Sequence, residues 1–554
     1  MSERLSTIRT LLRGGRIPTI LAACAMLAAT AVTAPPTAEA QQDVVGGPHL
    51  PAQGTTEHYL RVLQSLGAIE LHPWGIRGIS RPVAARMADS AAAHGHPWEA
   101  RRLSAPASRL GVAIIAPRGQ GVLNSAFPHS FEDGAAWAGR GLTGIAQAGA
   151  SLWAGPLTVT VAPVLYYGTN AAFPLAETGV DGNGVYADPR NPRNIDYPQR
   201  FGDGPVSGID PGESSIRLDT RWIAAGASTS RQHWGPGRTF PLILDGHAPG
   251  FLHGFVGTGE PRDIWIGRVQ ARGVWGVREQ SEFAQVAPID GRRFMSGIVG
   301  SFTPRGIDGL EIGGTRFFHI PWREGGPISE DFLRPFEAFL KVVRGERPGS
   351  SDGFSTPDNQ LASLFARWVF PGAGFEAYGE YSRNDHSFDF RDLILQPDHD
   401  SAYLLGFQRT WQREDARIVA VRGEVMNARI THLERVRHQV PFYRHGTMRQ
   451  GHTHRGQILG SPSVYGGAGA TLAADLYDPR GMLSVGWERR LREDVRFREF
   501  GGLSDVLHIL RADALLFRSA FDLNAGLAGV WNLNRNLEGD AFNLNARIGI
   551  SAGF

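Results

Sequence analysis

Phe542-Asn543-Leu544-Asn545-Ala546-Arg547-Ile548-Gly549-Ile550-Ser551-Ala552-Gly553-Phe554 closes the chain. Apolar side chains hold every even position and polar or small ones every odd position, the period of a strand with one apolar and one wet face. The preceding stretch repeats it: Phe521, Leu523, Ala525, Leu527, Gly529 and Trp531 share a face, with Asp522 and Asn524 opposite. Farther back, Trp265, Gly267, Val269, Ala271, Gly273 and Trp275 oppose Arg268, Gln270 and Arg272. Alternation alone also fits a soluble β-sandwich. The aromatic spacing separates the two. Trp265 to Trp275 and Phe521 to Trp531 each cover ten residues, about 33 Å of strand at roughly 3.3 Å per residue. Tilted by about 40°, such a strand rises roughly 25 Å, the height of a lipid-facing band with an aromatic girdle at each edge. Sandwich strands, at about six residues, are too short. The sequence therefore predicts an all-β transmembrane β-barrel.

Counting back from Phe554 gives strand candidates at 541–554, 520–534, 504–517, 480–491, 466–476, 416–429, 400–412, 373–384, 359–370, 307–319, 292–304 and 262–276. With Phe554 placed in the periplasm, the long connections 277–291, 320–358, 385–399 and 430–465 fall outside. The tight turns around Pro479 and Pro371 fall inside. Short periplasmic turns and long outer loops are what such barrels show. Further candidates near 112–127, 140–152, 156–168 and 215–229, with 230–261 holding either two more strands or an inward-folding plug, make about 16–18 antiparallel strands in residues 111–554.

The N-terminal part reads differently. Arg4, Arg9, Arg13 and Arg16 precede an apolar run from Ile17 to Val32, and Ala38-Glu39-Ala40 follows. That is the form of a signal peptide over residues 1–40, cut before Gln41. Leu21-Ala22-Ala23-Cys24 also matches a lipoprotein cleavage box, but would leave an apolar core of only Ile17 to Ala23. Residues 41–110 are expected to form a small α-helical segment in the periplasm. Tyr59, Leu60, Val62, Leu63 and Leu66 make a helical stripe that Gly67 stops; Ser80-Arg81-Pro82 opens a second helix ended by Gly95. A third helix is expected from Pro97 to about Leu110. An exported chain ending in a strand on a terminal Phe resembles the signal read by the barrel-assembly machinery of Gram-negative bacteria. The outer membrane and its lipids are thus the expected surroundings.

The chain has 554 residues and one cysteine, Cys24, so beyond the leader no disulfide, zinc–thiolate site or cysteine nucleophile is available. Its 56 Lys and Arg balance 54 Asp and Glu without a basic stripe, so no nucleic-acid partner is expected. Gly139-Arg-Gly141-Leu-Thr-Gly144 matches a dinucleotide fingerprint in letters only, because strands follow it and its first acid is Glu177. Gly549-Ile-Ser551-Ala-Gly553 matches a hydrolase elbow but lies in a strand. His445, His452 and His454 lack a nearby acid or an i, i+4 pair to make a metal site. No cofactor, metal or catalytic residue is expected, and the protein is read as a non-enzyme.

Two segments carry a resemblance. Arg231-Gln-His233-Trp234-Gly235-Pro236-Gly237, with Leu242-Ile-Leu244 and Ala248-Pro249-Gly250, resembles the W-G-P-G block of Wzi-type capsule assembly proteins. Tyr443-Arg444-His445-Gly446 and Gly451-His-Thr-His454-Arg455-Gly456-Gln-Ile-Leu459-Gly460 are similar to that family's late block. The resemblance implies an outer-membrane, lectin-like barrel of about 18 strands that helps attach capsular polysaccharide or exopolysaccharide to the cell surface. A porin or solute channel is the competing reading.

Sugars are bound by ring faces against their C–H surfaces and by guanidinium forks on their carboxylates. The outer loop 430–465 gathers Arg437, Tyr443, Arg444, His445, His452, His454 and Arg455. Tyr443, Arg444, His445, His452, His454 and Arg455 are therefore the expected polysaccharide contacts. Trp234 and Arg238 rank below them, since their block is suited to a plug.

Overall fold

Eighteen antiparallel strands close into one barrel, whose outer face carries the even positions of the C-terminal strand and whose lumen carries the odd ones. The strands are β1 (Leu110–Asn124), β2 (Gly141–Ala154), β3 (Leu157–Val161 continued by Val164–Gly168), β4 (Val206–Asp210 continued by Ser215–Asp219) and β5 (Ala224–Ser228). Then come β6 (His253–Gly257 continued by Arg262–Ile264), β7 (Gly267–Glu279), β8 (Arg292–Pro304), β9 (Leu310–Pro321), β10 (Asn359–Phe370) and β11 (Phe375–Asn384). The wall finishes with β12 (Ser401–Gln412), β13 (Ile418–Asn427), β14 (Ala468–Asp478), β15 (Gly481–Leu491), β16 (Val506–Phe517), β17 (Phe521–Arg535) and β18 (Gly539–Ala552). β18 returns to β1, with Arg118 opposite Ser551 and Asn124 opposite Asn545, so no edge is left open.

The computed structural model describes residue 49 and residues 55–96, 110–131, 134–220, 222–286, 291–337, 358–385, 390–413, 417–435, 437–492, 504–518 and 520–552. The expected signal peptide, the third helix and Phe554 lie outside these residues.

On β18, Phe542, Leu544, Ile548 and Ile550 are exposed while Asn543 and Asn545 are fully buried in the lumen. On β17, Trp531 is exposed and packs on Phe542 with ring centroids 5.1 Å apart. An apolar exterior and a polar interior are the inverse of a soluble barrel and match a lipid-facing wall. No helix among the described residues is long and apolar enough to cross a membrane. The barrel has one end of tight turns, at 155–156, 265–266, 371–374 and 479–480, and an opposite end of long loops.

The strand count corrects three details of the sequence reading. The candidate 262–276 is not one strand: Arg262–Ile264 ends β6, Gly267 opposite Ile264 starts β7, and Trp265 sits in the tight turn between them rather than on the face of Trp275. The stretch 215–229, expected as one strand, is split: the Thr220 N–H reaches the Ile223 carbonyl at 2.8 Å, turning the end of β4 into β5. The stretch 230–261 yields a strand at its end, β6, and before it an inward fold. Residues 229–252, between β5 and β6, cross the lumen as a plug.

Two helices sit in the tight-turn mouth, α1 (Thr55–Ser65) and α2 (Arg81–Ala93). Leu60 and Leu63 of α1 pack with Val83, Met87 and Ala91 of α2, and the cluster reaches Ile418, Ala420 and Tyr477 of the wall. The opposite face of α1 is polar yet also buried. There Arg61 pairs with Glu376 of β11, and Gln64 accepts from Arg367 of β10 at 2.9 Å. Charges removed from water persist only when paired and hydrogen-bonded, and here the barrel wall supplies the partners.

Candidate functional site

The plug is held from both ends of the barrel. Trp234 is fully buried at mid-lumen, bridged to Ile76 of the helical segment and to Leu244, with its ring 5.8 Å from that of Phe317. Gly235 has φ +88°, and a Cβ there would lie 2.6 Å from a Glu380 oxygen, so the W-G-P-G block needs glycine for both conformation and space. Glu424 of β13 accepts the backbone N–H groups of Arg238, Thr239 and Phe240 at 2.6, 2.8 and 3.0 Å. From the loop end, Asp245 N–H donates to the Leu459 carbonyl at 2.7 Å and Ser461 N–H to that of Pro241 at 3.1 Å.

This geometry assigns packing partners to most residues expected to meet sugar. Tyr443 is fully buried; its hydroxyl donates to the Leu242 carbonyl at 2.7 Å and its ring stacks on His452 at 5.0 Å. Gly460 lies under it, where a Cβ would meet the Tyr443 hydroxyl at 2.0 Å. His452 bonds the Ile243 carbonyl at 2.6 Å through Nε2 and His319 of β9 at 2.9 Å through Nδ1. His454 accepts the Glu279 N–H at 3.2 Å. Burial pushes Tyr443 far above the usual phenol range and His452 and His454 well below the usual imidazole range, so all three are neutral.

The remaining predicted residues lie around this core without forming one cluster. Arg238 bridges the plug to α1, with Nη1 3.0 Å from His58 Nδ1. Arg444 is half-buried and its carbonyl accepts from Asn384 at 2.7 Å. His445 Nδ1 accepts from Thr447 and Met448 N–H groups at 3.3 and 3.2 Å. Arg455 is exposed but bound to Glu279 at 2.9 Å and Asp210 at 3.1 Å. The late block is thus built chiefly to grip the plug from above.

A better-formed recess lies beside it at the loop end. Its volume is about 160 Å³, and Trp137, Tyr197 and Tyr465 line it together with Arg190, Arg490, Arg492 and Arg535. These come from five separate parts of the chain: the loops after β1, β3 and β13, the end of β15 and the end of β17. Among the described residues, Asp188 is the one carboxylate in the lining. It accepts from Tyr465 at 3.1 Å and from the Asn191 N–H at 2.9 Å, and burial pushes its carboxyl up. Asp505 behind the recess holds Arg190 at 2.8 Å and Arg492 at 3.5 Å, while Glu488 holds Arg490. Arg535 stacks over Phe127 at 4.2 Å and has no carboxylate in ion-pair range among the described residues. Among the described residues the recess therefore combines aromatic faces with more guanidinium groups than carboxylates, the pair of features that suits an acidic carbohydrate.

Ser130, His247, Pro462 and Arg490 line both this recess and a larger cavity of about 690 Å³, which runs beside the plug toward His58 and Arg61. Arg118, Arg231, Arg422, Arg511 and Arg547 project into it, against Asp210, Glu213 and Asp513. Sequence reading missed the recess. Its only signal was the abundance of arginine, which does not say where guanidinium groups meet.

No family model and no curated protein sequence matches the chain. Among solved structures it is similar to Wzi of Escherichia coli, an outer membrane protein involved in group 1 capsule assembly and described as a carbohydrate-binding β-barrel. The TM-score is 0.63 at 14% identity, covering 92% of this chain and 100% of that one. OprD of Pseudomonas aeruginosa aligns at a TM-score of 0.37 and 10% identity over 80% of this chain and 92% of its own. OccAB4 of Acinetobacter baumannii aligns at 0.36 and 10% over 79% and 98%. The likeness to Wzi is one of fold, and with it the chain is an outer-membrane-type β-barrel of 18 strands.

Proposed function

We propose that this barrel binds an acidic polysaccharide at its loop end and helps retain it on the cell surface. The helical mouth then faces the periplasm. The observation that carries this reading is the recess of Arg190, Arg490, Arg492 and Arg535 beside Trp137 and Tyr197, placed above a lumen that a plug crosses. A carboxylate-bearing sugar would find planar donors for its charge and ring faces for its C–H surface. The carbohydrate-binding description of the similar E. coli barrel supports the same substrate class. Repeating weak contacts along a polymer would provide retention without deep burial of any one sugar.

A second reading, a solute channel, draws on the 690 Å³ cavity beside the plug. Deleting the gene separates the two. Retention predicts surface polysaccharide released into the medium with synthesis unchanged. Intact attachment with lost small-solute uptake would favour the channel.

A further inference from the structure

The loop after β9 does not simply rise away from the barrel. Residues 328–337 turn back over the outside of the wall at the loop-end aromatic girdle. Trp275 faces outward from β7 and donates its indole N–H to the Phe332 carbonyl at 2.9 Å. The Phe332 ring packs on Phe294 of β8 at 5.0 Å. Arg316 also faces outward, from β9, in register with Ile298 and hence with Gly273, two residues nearer mid-wall than Trp275. A bare guanidinium is costly on a lipid-facing wall. Here it is satisfied by Gln360 at 2.7 Å, by the Pro335 carbonyl at 3.3 Å and by the Glu337 carbonyl, and it lies over Phe318.

The polarity of this segment is reversed from that of a water-facing loop. Asp331 is fully buried, held by Arg323 at 3.1 Å and by the Ile328 N–H at 2.9 Å, whereas Leu333 and Phe336 are 60% and 64% exposed. The loop after β11 repeats the arrangement. Tyr381, outward on that strand, donates to the Pro397 carbonyl, and Ile394 and Leu395 of the short helix Phe390–Leu395 are 60% and 66% exposed.

We infer that these two segments form a collar whose apolar side chains insert among the acyl chains of the leaflet at the loop end. The occupant follows from continuity. The exposed Leu333, Phe336 and Ile394 extend the same exterior that Ile312 of β9, Leu364 of β10 and Leu405 of β12 present to lipid. Trp275 and Arg316, which would otherwise seek water or headgroups, are already satisfied beneath the collar, and the exposed Ser329, Glu330 and Arg391 of the two segments would meet the headgroup region. Interfacial segments of this kind bind through buried apolar area. The collar would fix the depth at which the loop end sits in the bilayer.

The test uses full-length protein carrying Cys24→Ser and one new cysteine, Leu333→Cys or Ile394→Cys, labelled with an environment-sensitive nitrobenzoxadiazole dye. Each variant is reconstituted into phosphatidylcholine vesicles doped with lipids bearing a nitroxide high or low on the acyl chain. Thr447→Cys, on the loop end, is the water-facing reference, and Leu527→Cys, on β17, is the wall reference. Quenching at residues 333 and 394 should be at least twofold that at 447 and stronger with the high nitroxide than with the low one. Quenching no greater than at residue 447 would overturn the inference. So would shielding from lipid that grows with protein density, which would make a second copy the occupant. Phe336→Cys serves as the replacement where a labelled variant fails to show heat-modifiable migration, the mark of a folded barrel.

Discussion

The Tyr443 hydroxyl donates to the Leu242 carbonyl at 2.7 Å, joining the long loop after β13 to the plug inside the barrel. Both groups are buried, so each would be left unsatisfied without the other. Tyr443→Phe keeps the ring on His452 and removes only this bond. It should lower barrel stability by roughly 1 kcal/mol, read as a lower midpoint in heat-modifiable migration, and should leave polysaccharide binding unchanged. Lost binding in a folded Tyr443→Phe protein would return this residue to the sugar site.

Glu376 is the hub under α1, meeting both Arg61 and Arg367 away from water. Glu376→Gln takes this carboxylate from Arg61 and Arg238 and leaves Arg367 with only Glu311, at 3.9 Å. Breaking one side of a buried pair costs about 3–5 kcal/mol, so the helices should leave the mouth and become open to protease from the tight-turn side. Replacing Arg61 and Glu376 together by apolar residues should cost less than the sum of the single changes.

Acid should act in the same direction. His58 meets Asp475 at 3.0 Å through Nε2 and Arg238 at 3.0 Å through Nδ1, which requires a neutral ring that donates to the carboxylate and accepts from the guanidinium. Burial first, then Arg422, pushes His58 down to about 4; burial likewise pushes His72 down to about 3 and His247 to about 4. The unfolded chain takes up these protons near pH 6.5 and the folded one does not. Their stabilisation is therefore complete above about 6.5 and is lost as pH falls toward about 4. Hydrogen exchange of the α1 and plug amides should accelerate through that window. Exchange that does not change with pH there, once corrected for intrinsic rates, would contradict the assignment.

Removing residues 55–93 should unseat the plug as well as the helices. Glu311 would lose the Trp74 and Gly75 N–H groups it accepts at 2.8 Å, and Gly235 would lose the Gly75 carbonyl. Single-barrel conductance in planar bilayers should rise on truncation. Truncated protein that assembles with normal yield and stays closed would show that the plug is held from the loop end alone.

The wall was largely legible in the sequence because lipid and water impose opposite demands on alternate residues. β18 shows this throughout and β17 along most of its length, with Ala528 and Val530 as apolar exceptions packed inside, and the Phe521–Trp531 spacing gives the membrane height. β5 was merged with the end of β4 because Ala224-Ala-Gly-Ala-Ser228 has no large side chain to mark a face. The first halves of β4 and β6, Val206–Asp210 and His253–Gly257, escaped because each strand is interrupted, at 211–214 and 258–261. For Tyr443 and His452 the sequence showed aromatic rings in an outer loop, but not that Leu242, Ile243 and Leu244 return through the lumen to meet them. The recess is built from residues 137, 190, 490 and 535, a juxtaposition that only closure of β1 on β18 creates.

The proposed hold on an acidic polysaccharide comes from the guanidinium groups of that recess. Arg190→Gln, Arg492→Gln and Arg535→Gln combined leave the plug contacts intact, and each lost charge-assisted contact should cost roughly 1.5–3 kcal/mol. The decisive measurement is binding of a purified uronate-containing polysaccharide to folded parent and triple variant, beside the same polymer with its carboxyl groups reduced. The parent should bind the native polymer, with at least a tenfold weaker response to the reduced one, and the variant should lose that preference. Equal binding of native polymer by folded parent and variant would show that these arginines do not hold the polysaccharide.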